Sequence, residues 1–303
     1  CNLSCRMCSR PRWAAERGDF KIEDMPQDVL DRILDGIGEL RQKDLIFMTN
    51  GLGEPLLYPG LIRVIEQARL RAPNIKFSIT TNAVNLNRDM SAGLIKARLD
   101  NLTISVNAAD RKSYADLMGA DLYEKVVNNV LDFISTRKEL ALAWPFLSLQ
   151  FLQTSLTKAG KKDFYNFWMP KLGGNDKIFV HEPVCHAGSV EIGDLSPRGR
   201  GPAKKYPCSQ CWSRMAIRLN GDVYPCDAAY YACGRIPELY LGNVLKTPLK
   251  EIYFAGNSRV KEIQQYQLAG DYSRLGPCGS CDTFRLTPNA FFYIPFVSKK
   301  IWM

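Results

Sequence analysis

No apolar run in this sequence approaches the roughly 18–20 residues that a membrane-spanning helix needs, so a membrane-embedded chain is not expected. The most apolar stretch, residues 291–303, is broken by Pro295 and by Ser298-Lys299-Lys300, and reads as a packed tail. Histidine is scarce, with only His181 and His186, which leaves little for a metal site built on imidazole. No signal peptide is visible; the sequence opens on Cys1, and a strand is expected upstream of it. A cytoplasmic location is the expectation.

Charge of one sign dominates without clustering. The formal net charge is +9, yet the lysines and arginines are scattered and the denser pairs are short. That pattern suits a solvated basic surface better than a nucleic-acid partner. Ten cysteines remain to be explained. A disulfide framework serves small secreted domains, and a 303-residue α/β chain has enough core to do without one. Metal ligation is the alternative, and spacing decides.

Helical and strand patterns alternate over the first three-fifths. Pro26, at a helix N1 position, opens a segment through Arg41 with Val29, Leu30, Ile33, Leu34, Ile37 and Leu40 on one face. Strands are expected at 45–48, 75–80, 101–106, 146–152 and 177–182. Helices are expected at 59–71, 89–97, 121–136 and 159–171. Repeated βα units imply a parallel sheet with right-handed crossovers. With the strand upstream of Cys1, six units make a partial (β/α)6 barrel whose chemistry lies at the C-terminal strand ends. The Gly-, Pro- and base-rich stretch 190–207 reads as a linker. Residues 1–190 are therefore expected as the barrel and 191–303 as a smaller domain. In the latter, a hairpin over 215–224 turns at Asn220-Gly221-Asp222, and helices follow near 247–255 and 258–267.

Cys1, Cys5 and Cys8 crowd into a glycine-poor loop. Three thiolates can hold three irons of a cubane and leave the fourth open to a small chelating ligand. Zinc is the competing reading, but it wants four closed protein ligands and no histidine or fourth cysteine lies nearby. Here C-x3-C-x2-C, as Cys1-Asn2-Leu3-Ser4-Cys5-Arg6-Met7-Cys8, resembles the motif of the radical S-adenosylmethionine (SAM) superfamily. The resemblance implies that the open iron binds the amino and carboxylate groups of SAM. It also implies that one electron, from a flavodoxin- or ferredoxin-type donor, breaks SAM to methionine and a 5′-deoxyadenosyl radical. Met7 stands where the family usually has an aromatic against the adenine, and soft packing lets a methionine fill that role. Gly51-Leu52-Gly53-Glu54-Pro55 resembles the family's "GGEP" element, which receives the SAM ammonium group. Ser78, Thr80 and Asn82 are similarly placed to the ribose-contacting strand, and Ser105 and Asn107 to the carboxylate-contacting one. The competing reading for each is an ordinary polar residue at a barrel mouth.

A second cysteine set follows. Cys208 precedes Cys226 by 17 intervening residues, with Gly221 in the hairpin between, and Cys278-Gly-Ser-Cys281 completes four. Such a set can close a second [4Fe–4S] cluster or a structural zinc site. Pro207-Cys208-x3-Trp212, Asn220-Gly221-Asp222-Val223-x2-Cys226-Asp227, Leu241-Gly242-Asn243-Val244 and Cys278-x2-Cys281 resemble the auxiliary-cluster domains called SPASM and twitch. With only four cysteines well placed, the shorter twitch form with one cluster fits better.

Cys185, Cys211 and Cys233 are left over. A spare cysteine is usually a small buried hydrophobe. Cys211 fits that role or serves as an alternative cluster ligand. Cys185 lies just past the strand at 177–182, and Cys233 between Cys226 and Gly242-Asn243, where twitch-type radical epimerases are similar in carrying a hydrogen-donating thiol. Cys233, Cys185 and Glu182 are the candidate catalytic residues, with His181 and His186 flanking the last two. The expected chemistry is hydrogen abstraction from a C–H of a small polar substrate (sugar, aminoglycoside or cyclitol), with epimerisation by Cys233 as the first expectation. Dehydrogenation of an alcohol, with the auxiliary cluster accepting an electron, is the second, and peptide modification the third.

Overall fold

The computed structural model describes residues 1–11, 23–40, 45–49, 51–196, 207–231, 236–253 and 256–282. Five strands among them form one sheet, hydrogen-bonded in sequence order: β1 (Ile46–Met48), β2 (Lys76–Thr81), β3 (Asn101–Ser105), β4 (Phe146–Leu152) and β5 (Lys177–His181). Every neighbouring pair is parallel. Before β1 comes α1 (Gln27–Leu40); α2 (Leu61–Arg71) joins β1 to β2, and α3 (Arg88–Lys96) joins β2 to β3. Two helices, α4 (Arg111–Met118) and α5 (Tyr123–Glu139), lie between β3 and β4, and α6 (Lys161–Trp168) precedes β5. Parallel strands joined through helices in strict order bear out the α/β class of a partial (β/α)6 barrel.

The central strands are dry. Leu102, Ile104, Leu147, Leu149 and Phe151 are fully buried, as expected of strands covered on both faces. Two of these helices begin where a short polar side chain bonds their free N–H groups. Asn87 caps α3 through the Met90 N–H at 2.8 Å, and Asp110 caps α4 through the Ser113 N–H at 2.8 Å. α4, absent from the sequence-based expectation, stops at Gly119, whose φ of 73° is the left-handed cap that glycine favours. No helix among the described residues is long and apolar enough to cross a membrane.

The chain divides into two compact units. One comprises the described residues of Cys1–Cys8, Arg41–Pro183 and Gly193–Arg198; the other comprises those of Ser9–Leu40, Val184–Ile192 and Gly199–Met303. The second unit holds α7 (Gln210–Ser213), β6 (Ala216–Ile217), β7 (Asp222–Tyr224), α8 (Asp227–Tyr231), β8 (Gly242–Asn243), α9 (Leu249–Tyr253) and α10 (Ser258–Ala269). β6, β7 and β8 form a small antiparallel sheet. Its turn needs glycine: Gly221 has φ 83°, and a Cβ there would lie 2.9 Å from Asn243 Oδ1. Asn243 Nδ2 in turn donates to the Asn220 carbonyl at 2.8 Å and to Asp222 Oδ1 at 3.0 Å. The two sequence words Asn220-Gly221-Asp222 and Gly242-Asn243 are thus one structure. α1 belongs to this unit, with Gly36 so close to α9 that a Cβ would meet that of Leu249 at 2.7 Å.

Candidate functional site

Cys1, Cys5 and Cys8 lie half-buried on one loop of the first unit. The loop tightens where the Cys8 N–H donates to the Cys5 carbonyl at 3.1 Å, and the Arg6 N–H anchors it to the Leu117 carbonyl at 3.0 Å. At its start, Asn82 Nδ2 donates to Asn2 Oδ1 at 2.8 Å and lies 3.9 Å from Cys1 Sγ.

Asn82 follows β2, and the same strand end meets the turn after β1. Glu54 caps the single helical turn Pro55–Leu57, its Oε1 accepting the Leu56 N–H at 3.0 Å. That oxygen also accepts the Thr81 hydroxyl at 2.6 Å, and Oε2 accepts the Asn82 N–H at 2.9 Å. Burial pushes the Glu54 carboxyl above its ordinary value, against the pull of those three hydrogen bonds. Oε2 keeps capacity to accept a further donor, which is the property an ammonium-receiving carboxylate needs. A Cβ on Gly53 would meet nothing within 4 Å, so the chain leaves room there for a ligand to approach the backbone.

Of the strand residues, Ser78 and Asn82 are buried and Thr80 half-buried. Ser105 donates to Gln150 Oε1 on β4 at 2.8 Å, so its hydroxyl proton serves the sheet. Asn107 is the more telling residue. It is 4% exposed and held at φ 64°, and its Oδ1 has no partner among the described residues. A buried acceptor left open in a strained loop suits a ligand that is not part of the chain. These donors, acceptors and the open space at Gly53 fit SAM, and the half-buried thiol loop fits a cluster. Thr81, which fixes Glu54, and Asn2, which binds Asn82, were not singled out from sequence; only the period-2 alternation of β2 separates Thr81 from Thr80.

In the second unit, Cys208, Cys226, Cys278 and Cys281 line one cavity together with Cys211. Its other walls are mostly apolar, including Pro225, Leu239 and Pro277. Its two glutamines are already engaged: Gln210 Oε1 accepts the Asp227 N–H at 3.0 Å, and Gln267 Oε1 accepts the Cys208 N–H at 3.0 Å. Gln267 Nε2 donates to Cys278 Sγ at 3.6 Å, and the Ala229 N–H donates to Cys226 Sγ at 3.3 Å. Burial pushes the Cys208 thiol up to about 11, and drives Cys226 and Cys211 higher still, with neighbouring thiolates adding to each. Such thiols ionise only when a metal supplies the opposing charge. Among the described residues no three Cys, His, Asp or Glu side chains converge on a single-ion site. Thiols spread around a cavity wall suit a polynuclear cluster better than a lone zinc, whose sulfur ligands lie about 2.3 Å from one centre.

Cys185 also belongs to the second unit and is 3% exposed. Its thiol donates to the Ser280 carbonyl at 3.6 Å, and its N–H meets both Asp282 oxygens at 3.0 Å, so it packs against the Cys278–Cys281 segment. His186, at φ 43°, lies 4.5 Å from the Tyr231 ring, and burial lowers its pKa. Glu182 follows β5 and is half-buried. Cys233 lies outside the described residues, as does the tail from 291. The structure therefore brings Glu54 and Asn82 together at one strand end. It gathers the four auxiliary cysteines, with Cys211, at one cavity.

Residues 1–136 match the family model of the radical SAM superfamily, and residues 208–282 that of the SPASM iron–sulfur cluster-binding domain. The mycofactocin maturase of Mycobacterium ulcerans is 28% identical over 94% of this chain and 79% of its own length. A cofactor-modifying protein of a tungsten-containing aldehyde ferredoxin oxidoreductase from Pyrococcus furiosus is 23% identical over 51% of the chain and 41% of its own length. With relatives of the latter kind, the chain spans only about two-fifths of the partner's length. Among solved structures, BtrN in complex with AdoMet and 2-DOIA superposes with TM-score 0.58 at 14% identity, covering 93% of this chain and 88% of BtrN. Native anSMEcpe with bound AdoMet gives 0.62 at 16% identity, over 91% and 85%. SuiB of Streptococcus suis, bound to the precursor peptide SuiA, gives 0.63 at 17%, over 87% and 64%. At these identities the likeness is one of fold.

Proposed function

The chain belongs to the radical SAM superfamily and carries a C-terminal SPASM-type domain, and from that premise we propose that it oxidises a secondary alcohol of a small polar substrate of the sugar, aminoglycoside or cyclitol kind. Its cofactors are SAM and [4Fe–4S] clusters. When bound, SAM and the first cluster supply the radical that removes a hydrogen atom from the substrate carbon. Cys1, Cys5 and Cys8 are the residues assigned to that cluster. Glu54 receives the SAM ammonium, with Gly51, Gly53 and Pro55 shaping its turn. Ser78, Thr80 and Asn82 serve the ribose, Ser105 and Asn107 the carboxylate, and Met7 the adenine.

The observation that carries the oxidative reading is the second cavity. It is mostly apolar, its two glutamines are hydrogen-bonded within the chain, and Cys208, Cys226, Cys278 and Cys281 line it, which supports reading them as four ligands. A cluster with every iron so held has no corner for substrate and exchanges electrons. Oxidation of an alcohol to a carbonyl then balances: the carbon loses a hydrogen atom to the radical, the hydroxyl loses a proton to a base, and one electron passes to the auxiliary site. Glu182, just past β5, stands at the same C-terminal sheet edge as Glu54, Asn82 and Asn107, and is the base in this reading. A flavodoxin- or ferredoxin-type donor suits the +9 charge, since such association is steered by opposite charge.

Epimerisation is the second reading, and the position of Cys233 shortly after ligand Cys226 favours it. The test runs candidate substrates in deuterated water with wild type and Cys233→Ala. A ketone product with turnover unaffected by the substitution supports oxidation. One solvent deuterium at an inverted carbon, lost in Cys233→Ala, overturns it in favour of epimerisation. Turnover of peptides alone overturns the small-molecule class. Fewer than about four irons per chain, or no 5′-deoxyadenosine on reduction, sinks the enzyme reading itself.

A further inference from the structure

The buried stripe of α10 is half glutamine. Val260, Ile263, Gln264 and Gln267 are its buried residues, spaced as the core-facing side of an amphipathic helix. Gln264 is 8% exposed and Gln267 only 2%. An amide in such a place is costly unless its hydrogen bonds are made, and both side chains make them to the cysteine segments. Gln264 Nε2 donates to the Cys211 carbonyl at 3.1 Å, a bond to backbone alone.

Gln267 does more. Its Oε1 accepts the Cys208 N–H at 3.0 Å, and its Nε2 donates to Cys278 Sγ at 3.6 Å. The orientation of the amide follows from the first of these bonds. A backbone N–H can only donate, so the atom facing it is the oxygen, and the NH2 group is left to face the sulfur. One side chain in the wall of the auxiliary cavity thus spans two of the cysteines that line it. The Ala229 N–H serves Cys226 Sγ in the same way at 3.3 Å, but from the backbone.

We infer that Gln267 is a positioning residue for the auxiliary cluster: it ties the Cys208 segment to Cys278, and its N–H bond to the Cys278 sulfur favours the reduced, more negative state of the cluster. The inference rests on Cys208 and Cys278 being ligands of that cluster, and it holds whether the enzyme oxidises or epimerises its substrate. Hydrogen bonds to ligand sulfurs tune cluster potential, and a donor stabilises the added electron.

The test is an EPR-monitored redox titration of anaerobically loaded wild type, Gln267→Met and Gln264→Met, following the signal that does not respond to added SAM. Gln267→Met keeps the length of the side chain and removes the donor. It is expected to lower the ratio of reduced to oxidised auxiliary cluster at a fixed potential by threefold to tenfold, tenfold being about 59 mV for one electron. The SAM-responsive signal should keep its midpoint. Gln264→Met, which removes a bond to backbone and none to sulfur, is expected to leave both midpoints in place. An unchanged auxiliary midpoint in Gln267→Met, or an equal fall in both variants, overturns the inference. If Gln267→Met does not hold the auxiliary irons, Gln267→Leu is titrated in its place. Loss of those irons from both overturns the inference in favour of a purely structural tie. A wild type with about four irons per chain and only the SAM-responsive signal defeats the auxiliary ligand assignment itself, and the inference with it.

Discussion

The Asn82 backbone N–H donates to Glu54 Oε2 at 2.9 Å while the Asn82 side chain donates to Asn2 Oδ1 at 2.8 Å. One residue thus ties the turn after β1 to the loop that carries Cys1. Its Oδ1 also accepts the Val84 N–H at 3.0 Å, which fixes the chain as it leaves β2.

Asn82→Ala leaves the backbone bond to Glu54 intact and removes both side-chain bonds. Each is worth about 0.5–1.5 kcal/mol net. The tie from β2 to Asn2, beside Cys1, is then lost. SAM affinity is expected to fall roughly tenfold, for about 1.4 kcal/mol, with the iron content of the auxiliary site unchanged. Equilibrium binding on anaerobically loaded protein, with iron analysis, checks both.

Gly119→Ala is expected to act on the first cluster from outside it. The new methyl would press on the Ser4 carbonyl at 2.6 Å, and φ 73° is strained for alanine. A cost of about 1–3 kcal/mol follows, and the loop can escape it only by moving away from α4. Iron per chain after reconstitution should fall by about the four atoms of one cubane, while Gly174→Ala, whose Cβ meets nothing within 4 Å, should retain full loading.

Five thiols line the auxiliary cavity, and a cubane has four corners. We take Cys211 as the spare, since its S–H donates to the Cys208 carbonyl at 3.0 Å. Cys211→Ala should therefore keep about eight irons per chain. Cys208→Ala, Cys226→Ala, Cys278→Ala or Cys281→Ala should leave about four, with reductive cleavage of SAM retained. Equal losses in all five variants would make Cys211 a ligand.

Local signals carried much of this architecture into the sequence. The strand Phe146–Leu152 falls on the expected residues, because alternating apolar side chains bounded by turn residues permit little else. The Asn220-Gly221 turn was equally plain. What could not be read is what depends on residues distant in sequence. α4 shows only Asp110 and Gly119 as its boundaries, and its short apolar pattern gave no reason to prefer a helix to a loop. That Thr81 rather than Thr80 bonds Glu54 follows from strand register, and the packing of α1 on α9 joins segments roughly 200 residues apart. Cys185 reads as a candidate catalytic residue because it follows β5 directly. Its bonds to Ser280 and Asp282 cross nearly 100 residues that no local pattern connects.

Away from both cysteine sites, Arg137 and Asp176 form a buried ion pair that joins α5 to the turn before β5. Arg137 Nη1 donates to Asp176 Oδ1 at 2.8 Å and to the Pro145 carbonyl at 2.7 Å. Asp176 also accepts the Leu147 N–H at 2.9 Å and the Gly173 N–H at 2.8 Å. Burial works against ionisation of this carboxyl, but the guanidinium and the two N–H groups outweigh it and hold the pKa below 3.8. A depressed carboxyl stabilises the fold above its unfolded value, and that contribution disappears as pH falls through the folded one. Asp176→Asn leaves a buried arginine without its counter-charge, which costs about 3–5 kcal/mol at neutral pH. Chemical denaturation followed by circular dichroism should show that gap at about pH 7, and show it narrowing as pH falls below the ordinary carboxylate range and through the depressed native value, where Asp176 of the wild type takes up its proton. A gap that stays constant with pH would mean that the substitution costs stability through packing and not through charge.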